Sequence, residues 1–278
     1  GHYPPPAGES DILGLEVSGT IDALGPDVVG WRVGDEVCAL LAGGGYAEYV
    51  NVRVGQVLPV PRGVDLVTAA ALPEVAATVW SNLGMTAHLS AGQLVLLHGG
   101  ASGIGTHAIQ VAHALGARVA VTASLEKLEL CRELGADILI NYRDEDFVER
   151  ITEAGGADVI FDIMGAAYLD RNIDALAPDG RVVIIGMQGG VKGELNIAKL
   201  LGKRAGVIAT ALRSRPLDGP SGKAAVISEV VQHVWPMIAD GRVKPIIGAE
   251  LPIEQAAAAH QLLQAGAVSG KVLLQVRD

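Results

Sequence analysis

The stretch that decides the fold reads Gln93-Leu-Val-Leu-Leu-His98-Gly-Gly-Ala-Ser102-Gly-Ile-Gly105-Thr-His107. Its apolar first half predicts a strand over residues 93–98, and its second half opens a helix predicted over residues 104–115. Glycines between the two allow a tight turn, so that the positive end of the helix can approach a pyrophosphate. We therefore expect Ser102, Gly103, Ile104 and Gly105 to face the diphosphate of a dinucleotide.

The turn fits two glycine patterns. Gly100, Ser102 and Gly105 occupy the G-x-G-x-x-G positions with the middle glycine replaced. Gly99, Gly103 and Gly105 fit G-x-x-x-G-x-G, which is typical of short-chain dehydrogenases. A short-chain enzyme would also carry a Tyr-x-x-x-Lys pair, and no tyrosine of this chain is followed four residues later by lysine. We reject that class, and a turn that binds nothing is the remaining alternative.

Two further classes are excluded by motif. His98-Gly-Gly resembles an esterase oxyanion loop, but the chain has no G-x-S-x-G elbow to supply a nucleophile. Gly222-Lys223 and Gly270-Lys271 do not complete a phosphate-binding P-loop, because neither has the upstream glycine and the following Ser or Thr. The sequence therefore indicates neither a hydrolase nor an NTPase.

Strands and helices alternate on both sides of the turn. Strands are predicted at residues 93–98, 118–122, 138–141, 158–162 and 181–185, and helices at 104–115, 126–134, 145–153 and 168–176. Such alternation gives right-handed βαβ units and a doubly wound parallel sheet, so the fold class is α/β.

The residues near position 124 indicate which dinucleotide binds. Enzymes that use NAD place an acid about 20 residues after the fingerprint, where it accepts from the ribose hydroxyls. Here the strand end reads Thr122-Ala-Ser124-Leu-Glu126-Lys127, with a hydroxyl and an ammonium where a 2′-phosphate would lie. The pattern favours NADP, with Ser124 and Lys127 as binding residues. The alternative is that Lys127 is an ordinary lysine at a helix start.

The flanking regions have other patterns. Residues 15–60 contain short apolar runs broken by Gly and Pro, the rhythm of an antiparallel barrel or sandwich. Helical periodicity covers residues 65–89. After a Pro/Gly/Ser loop at 216–222, we predict helices at 224–240 and 253–265 and strands at 244–247 and 271–276.

Composition and charge point to a small-molecule substrate. The chain of 278 residues has a formal charge of −10, which disfavours nucleic acid and anionic membranes as partners. No apolar run reaches the roughly 18–20 residues of a membrane span. The two cysteines have no CxxC spacing, and a reducing cytoplasm is the expected compartment. The chain begins without Met, and we expect an N-terminal segment to be missing.

A family resemblance extends over the whole chain. Its segments are Tyr3-Pro-Pro-Pro6, Ile12-Leu-Gly-Leu-Glu-Val-Ser-Gly19, Val33-Gly-Asp-Glu-Val37, Gly43-Gly-Gly-Tyr-Ala-Glu-Tyr-Val50, Ala71-Leu-Pro-Glu74, Ser102-Gly-Ile-Gly-Thr106, Leu134-Gly-Ala-Asp137, Ile140-Asn-Tyr-Arg143, Leu212-Arg-Ser-Arg215 and Ser269-Gly-Lys-Val272. The chain resembles the zinc-independent, zeta-crystallin-like quinone oxidoreductase branch of the medium-chain dehydrogenase/reductase superfamily. The resemblance implies a GroES-like domain at 1–73 and 216–278, lacking its first strands, a Rossmann domain at 74–215, and a homodimer.

The same comparison addresses zinc. Zinc-dependent relatives have Gly-His-Glu where this chain has Gly14-Leu15-Glu16, and a four-cysteine lobe where it has only Cys38. Leucine cannot ligate zinc. His88, His107, His113, His233 and His260 lack metal-ligand spacing among themselves and are interpreted as structural or surface residues. We expect no bound metal.

The resemblance implies NADPH-dependent hydride transfer to a quinone, with no dedicated catalytic acid–base pair. The alternatives are an NADPH-dependent enoyl or alkenal reductase and a non-enzymatic, crystallin-like NADPH-binding protein. Further cofactor-binding residues implied by the resemblance or by their position at strand ends are Tyr3, Thr78, Tyr142, Gly165, Gly186, Met187, Leu212, Arg213 and Ser214. The alternatives are a terminal aromatic for Tyr3, a helix-surface residue for Thr78, packing for Tyr142 and plain turn geometry for the glycines.

Overall fold

The computed structural model describes residues 4–276. Its strands are β1 (Glu16–Thr20), β2 (Glu36–Leu40), β3 (Val57–Pro59), β4 (Leu94–His98), β5 (Arg118–Ala123), β6 (Ile138–Asn141), β7 (Ala157–Asp162), β8 (Leu176–Ile184), β9 (Gly206–Ala209), β10 (Ile247–Pro252) and β11 (Lys271–Gln275). Its α-helices are α1 (Leu66–Ala69), α2 (Pro73–Val79), α3 (Gly103–Ala114), α4 (Leu128–Glu133), α5 (Phe147–Glu153), α6 (Leu169–Ala175), α7 (Ile197–Lys203), α8 (Lys223–Ala239) and α9 (Ala256–Gln264).

The chain forms two compact units. The sheet unit is Ser81–Ala211, and the split unit combines the segment up to Trp80 with the segment from Leu212 onward. The domain boundaries after residues 73 and 215 stay a prediction from the resemblance.

The sheet unit contains six strands in the order β6-β5-β4-β7-β8-β9, and every neighbouring pair is parallel. The central strands are continuous apolar runs because helices cover both faces of such a sheet. Leu96, Ile160 and Val182 lie on three successive strands and are fully buried in one cluster. Each such side chain contributes about 1.5–3 kcal/mol through burial. The order is that of a Rossmann fold, which confirms the predicted doubly wound sheet.

Short polar side chains fix where several helices of this unit begin. Ser102, Asp146 and Asn196 cap α3, α5 and α7, each accepting a hydrogen bond from a backbone N–H two or three residues later. The Asp146 cap explains why α5 begins at Phe147 rather than at residue 145, as predicted.

The sheet unit also departs from the predicted elements. The sequence did not predict α7 or β9, the edge strand that pairs with β8. Strand β8 begins at Leu176 rather than at residue 181, because Ala157 pairs with Leu176 before the register shifts to Val159 and Arg181. The irregular segment replaces the end of the predicted helix 168–176.

The split unit contains an antiparallel sheet in the order β1-β2-β3 and a separate parallel pair, β10 and β11. Helix α8 packs on this unit, and the Trp235 indole N–H donates to Pro59 O at 2.7 Å. The strand predicted at 244–247 is wrong: β10 runs from Ile247 to Pro252. Its alternating half-buried and exposed residues pair with β11, whereas residues 244–246 precede the ladder.

Between residues 4 and 276, no helix is long and apolar enough to cross a bilayer.

Candidate functional site

The glycine turn (residues 99–105) is hydrogen-bonded to the end of β5. The N–H groups of Gly99 and Gly100 both donate to Thr122 O at 3.0 Å. Gly99 has a φ of +74°, which favours glycine. A Cβ on Gly105 would overlap Gly99 O and lie 2.6 Å from Gly100 O. Gly105, the position shared by both sequence patterns, is therefore the glycine that the turn requires most strictly.

Ser102 caps the helix that follows the turn. Its Oγ accepts from the Gly105 N–H at 3.0 Å, and its φ of −70° needs no glycine. The replaced middle glycine is thus compatible with the turn. Gly103 and Ile104 lie in the first turn of α3, where an α-helix offers their N–H groups no acceptor. These N–H groups and the helix dipole suit a bound anion such as a diphosphate.

A buried histidine, His98, ends β4 directly before the turn. His98 is 3% exposed; its Nδ1 lies 3.1 Å from Thr122 Oγ1 and its Nε2 lies 2.8 Å from Asn172 Oδ1. Burial lowers the pKa of His98 to about 4, so the ring is neutral at neutral pH. Because an amide oxygen only accepts, the proton is assigned to Nε2, and Nδ1 accepts from the Thr122 hydroxyl.

The loops after β7 and β8 lie together next to the turn. Asp162 is fully buried, and its carboxylate accepts from the N–H groups of Met164 at 2.7 Å and Gly165 at 3.0 Å. Burial raises the pKa of Asp162. A Cβ on Gly165 would lie 3.1 Å from both Gly186 O and Met187 Cα. The structure thus brings together Gly165, Gly186 and Met187, as expected for the carboxyl edge of the sheet.

The glycine turn adjoins these loops through Ile163, whose Cδ1 lies 2.6 Å from where a Cβ on Gly99 would stand. The predicted diphosphate residues and the predicted residues of the β7 and β8 loops therefore share one edge of the sheet unit.

A second group of predicted residues lies after β5 and β6. Ser124 is 7% exposed and precedes the 3-10 turn Leu125–Lys127. The backbone N–H of Glu126 and then the Ser124 hydroxyl lower the pKa of the Glu126 carboxyl. Arg143 Nη1 is 3.9 Å from Glu126 Oε2, and the Arg143 guanidinium lies 5.8 Å from the centroid of the Tyr142 ring. The structure therefore adds Arg143, a cation that the sequence reasoning did not select.

In the split unit, Thr78 is 5% exposed, so it is not a helix-surface residue. Its hydroxyl donates to Glu74 Oε1 at 2.8 Å, and the Glu74 N–H donates to Glu16 Oε2 at 2.9 Å. Glu16 also forms an ion pair with Lys271. Burial raises the pKa of Glu16, while the negative charges of Glu16 and Glu74 outweigh burial and raise the pKa of Lys271.

A small pocket of the split unit collects residues from several segments. It is lined by Leu15, Leu40, Leu41, Glu74, Leu212, Arg213 and Lys223. The Arg213 side chain is held there by its Nε, which donates to Ala42 O at 2.8 Å. Leu212 and Arg213 were predicted as site residues, and Glu74 links the pocket to Thr78. Lys223 was not predicted, and Ser214 is an exposed neighbour outside the lining.

Two family models match separate parts of the chain. The alcohol dehydrogenase GroES-like domain matches residues 1–62, and the zinc-binding dehydrogenase family matches residues 103–228. Quinone oxidoreductase of Rattus norvegicus is 31% identical over 94% of this chain and 78% of its own length. The chain belongs to the quinone oxidoreductase branch of the medium-chain dehydrogenase/reductase superfamily. Residues 1–62, which lie in the split unit, are accordingly the GroES-like part.

Two further relatives extend the comparison of this quinone oxidoreductase family member. The crystal structure of Escherichia coli quinone oxidoreductase complexed with NADPH has a TM-score of 0.86 and 29% identity, covering 99% of this chain and 85% of that one. The spectinabilin polyketide synthase system protein NorB of Streptomyces orinoci is 33% identical over 94% of this chain but only 12% of its own length.

The donor set of this family member does not fit zinc, despite the name of the matched family. Among residues 4–276, no group of three or more His, Cys, Asp or Glu side chains is arranged to hold a metal ion. Leu15 lines the pocket without a metal-binding atom. Burial raises the pKa of Cys38 to about 12, so its thiol stays protonated. Zinc independence nevertheless stays a prediction.

The binding roles predicted from the sequence of this family member stay predictions, and Tyr3 lies outside the described residues. Two charged residues were missed. Arg143 follows Tyr142 in the quoted Ile140–Arg143 segment, so adjacency could have pointed to it. Lys223 was considered only as part of an incomplete P-loop, and no local pattern indicated its pocket.

Proposed function

We propose that this protein is an NADPH:quinone oxidoreductase that transfers a hydride from nicotinamide C4 to a quinone without zinc. The observation that carries the proposal is the similarity to quinone oxidoreductases along nearly the whole chain, at 31% identity to the rat protein. The same similarity includes the E. coli enzyme complexed with NADPH. Hydride transfer to an electron-poor quinone needs less polarisation of oxygen than alcohol oxidation does, which suits a pocket with Leu15 in place of a zinc ligand.

The cofactor is NADP(H). Residues Ser102, Gly103, Ile104 and Gly105 would hold its diphosphate at the start of α3, and the required glycine at 105 keeps that approach open. Ser124, Lys127 and Tyr142 would surround the adenosine phosphate, with Arg143 added by the structure. Each hydroxyl or cation there is suited to phosphate oxygens.

We propose Gly165, Gly186 and Met187, on the loops after β7 and β8 of the sheet unit, as further cofactor-binding residues. Tyr3, Thr78, Leu212, Arg213 and Ser214 of the split unit are proposed as cofactor-binding residues on the family resemblance. NADP(H), when bound, supplies the hydride. The protein orients the two partners and excludes water, and no step requires a metal.

NADPH oxidation at 340 nm tests the proposal, with 1,2-naphthoquinone, benzoquinone and a 2-alkenal as acceptors. We expect turnover with the quinones, a preference for NADPH over NADH, and the same rate after dialysis against a chelator. A protein that binds NADPH but reduces none of the three acceptors would contradict it. Loss of activity on chelation, restored by Zn²⁺, would contradict the zinc-independent mechanism.

A second candidate is reduction of a carbon–carbon double bond conjugated to a carbonyl. The match to a polyketide synthase system protein along 94% of this chain favours it. The same assay separates the two, because an alkene reductase would use the 2-alkenal faster than either quinone.

We also propose a homodimer in the cytoplasm with a small-molecule substrate. Strand β9 is the edge of the parallel sheet, and an unpaired edge can join a second copy. Light scattering after gel filtration tests the dimer, and a monomer at micromolar concentration would contradict it.

A further inference from the structure

Four buried polar side chains form a row near the carboxyl ends of three neighbouring strands of the sheet unit. They belong to Thr122 in β5, His98 at the end of β4, Asn172 in α6 and Asp162 at the end of β7. None of them is more than 3% exposed. Buried polar groups are costly unless they are hydrogen-bonded, so the contacts within this row determine whether it stabilises the fold.

Hydrogen bonds join the first three side chains of the row to the glycine turn. The Gly99 N–H donates to Thr122 Oγ1 at 3.3 Å. Thr122 Oγ1 lies 3.1 Å from His98 Nδ1, and His98 Nε2 lies 2.8 Å from Asn172 Oδ1. Because the neutral ring holds its proton on Nε2, each donor in this series points away from the turn and toward Asn172.

At the other end of the row, Asp162 holds the loop after β7 (residues 163–165, the β7 loop). Its two carboxylate oxygens accept from the N–H groups of Met164 at 2.7 Å and Gly165 at 3.0 Å. Burial raises the pKa of Asp162, while these two N–H groups and then the Asn172 amide act to lower it. Asn172 therefore lies between the groups that hold the glycine turn and the group that holds the β7 loop.

The Asn172 side chain is not explained by stability alone. Its Nδ2 is buried and makes no hydrogen bond of normal geometry to any residue between 4 and 276. A buried donor without an acceptor is destabilising, and a partly satisfied polar network is worse than an apolar core. Leucine has a similar volume and would fill this place without that cost. Departures of this kind from local stability are expected at functional sites.

The row crosses the line along which a dinucleotide would lie. In the order β6-β5-β4-β7-β8-β9, successive strands run to one side from β4 and to the other side from β7, so the order reverses between these two strands. Dinucleotides bind across this crevice, with one half of the cofactor on each side. Ser124 and Lys127, proposed for the adenosine phosphate, follow β5, so the other half of the cofactor would lie toward the β7 loop.

We propose that Asn172 is a positioning residue, which links the glycine turn to the β7 loop so that the two segments hold both halves of NADP(H) at once. This inference rests on the proposed function. Asn172 touches neither cofactor nor acceptor in this role. It acts through His98 and Thr122 on one side and through Asp162 on the other. Two binding segments held at a fixed separation lose less entropy when both engage one ligand.

NADPH and adenosine 2′,5′-bisphosphate together test the link, because the bisphosphate carries the adenosine half of the cofactor without its nicotinamide half. Calorimetry measures the ratio of the two dissociation constants, bisphosphate over NADPH. In Asn172→Leu we expect the NADPH dissociation constant to rise about tenfold and that of the bisphosphate to stay within about twofold, so the ratio falls. The His98 ring can then carry its proton on Nδ1 and donate to Thr122, so the variant cuts the link without leaving that donor unpaired.

A second variant cuts the row at its other end. Thr122→Val removes the hydroxyl with little change of shape, and it should lower the same ratio. In the double variant with Asn172→Leu the two effects should not add, because each interrupts the same row. Ile151→Val is the matched control. Ile151 is fully buried in α5 of the same unit, so this variant should lower Tm and leave the ratio unchanged.

An unchanged ratio in Asn172→Leu would overturn the inference, and so would an equal loss of affinity for the two ligands, a shifted ratio in Ile151→Val or additive effects in the double variant. Failure of the wild type to bind the bisphosphate would also overturn it. If Asn172→Leu does not fold, the ratio in Thr122→Val decides in the same way.

The binding measurements also separate this inference from the proposed function. A protein that shows the expected fall in the ratio but reduces no quinone would contradict the proposed function and leave the role of Asn172 intact. Quinone reduction by the wild type with no fall in the ratio of Asn172→Leu would contradict the inference alone.

Discussion

The glycine turn and the Lys223 pocket differ in how the chain builds them. The turn is one continuous segment, and its constraints are local: a positive φ at Gly99, no room for a Cβ at Gly105 and a serine cap. The pocket is assembled from Leu15 before β1, the end of β2, α2 and the start of α8, together with Leu212 and Arg213. Local constraints leave a readable pattern in the sequence, whereas a pocket built from distant segments does not.

The largest expected change in NADPH affinity comes from placing a side chain at Gly105, where the turn has no room for a Cβ. In Gly105→Ala the new Cβ would overlap Gly99 O, so the backbone of the turn must move. Overpacking of this kind costs about 1–3 kcal/mol of folding stability. The displaced turn also moves the N–H groups that would face the diphosphate, and a loss of about 3 kcal/mol in binding free energy corresponds to about 100-fold in affinity. We therefore expect the NADPH dissociation constant to rise about 100-fold in a fluorescence titration.

Gly202→Ala is the matched control for that variant. Gly202 lies in α7, where a Cβ would meet nothing within 4 Å, so stability should rise by about 0.5–1 kcal/mol with NADPH affinity unchanged. A Gly105→Ala protein that binds NADPH within threefold of wild type would show that the turn is less constrained than its geometry indicates.

A smaller effect, on the pH dependence of folding stability, tests the role of the buried His98 next to the turn. The pKa of His98 is about 4 in the folded protein and 6.5 for an ordinary histidine, so the unfolded chain binds more protons between these values. Stability is therefore complete above pH 6.5 and falls as pH drops toward 4, by about 2 kcal/mol between pH 7 and 5. Urea unfolding at the two pH values measures this loss.

The variant His98→Gln should lose less stability than wild type over the same interval, because glutamine does not titrate. His113→Gln, at an exposed histidine of the same unit, should retain the wild-type dependence. Identical pH dependence in wild type and His98→Gln would refute the role of the buried ring.

The smallest effect concerns the cation that only the structure revealed. Arg143→Ala should raise the NADPH dissociation constant about tenfold and leave that of NADH nearly unchanged, because only NADPH carries the 2′-phosphate. Paired titrations with the two cofactors measure the ratio. Arg132→Ala, which removes an exposed arginine paired with Glu129 on α4, is the control. An equal loss for both cofactors would place Arg143 away from the 2′-phosphate.

Most of the sheet unit was predictable, because its buried strands are apolar runs bounded by polar residues. The strand predicted at 138–141 is β6, and the strand predicted at 118–122 differs from β5 by one residue. The exceptions lie at the edge of the sheet. Strand β9 has four residues, none of them fully buried, and α7 likewise has no buried residue, so neither carries a strong apolar period.

The candidate site likewise has residues that the sequence predicts and residues that only the structure identifies. The sequence identified Ser102–Gly105 from one local motif and assigned Ser124 and Lys127 by their distance from it. It could not show that Thr78 is buried or that Lys223 shares a pocket with Leu15. Those facts depend on long-range packing, which determines burial and proximity independently of local pattern.

The hydrogen bonds from Gly99 and Gly100 to Thr122 affect the rate at which a dinucleotide binds to the turn. Together with the Ser102 cap, they hold the turn in one conformation without any contact from a nucleotide. Little conformational entropy is then lost on association, so more of the interaction energy appears as affinity. The turn acts as a preorganised receptor, and its association rate should be limited by diffusional encounter rather than by folding of the loop.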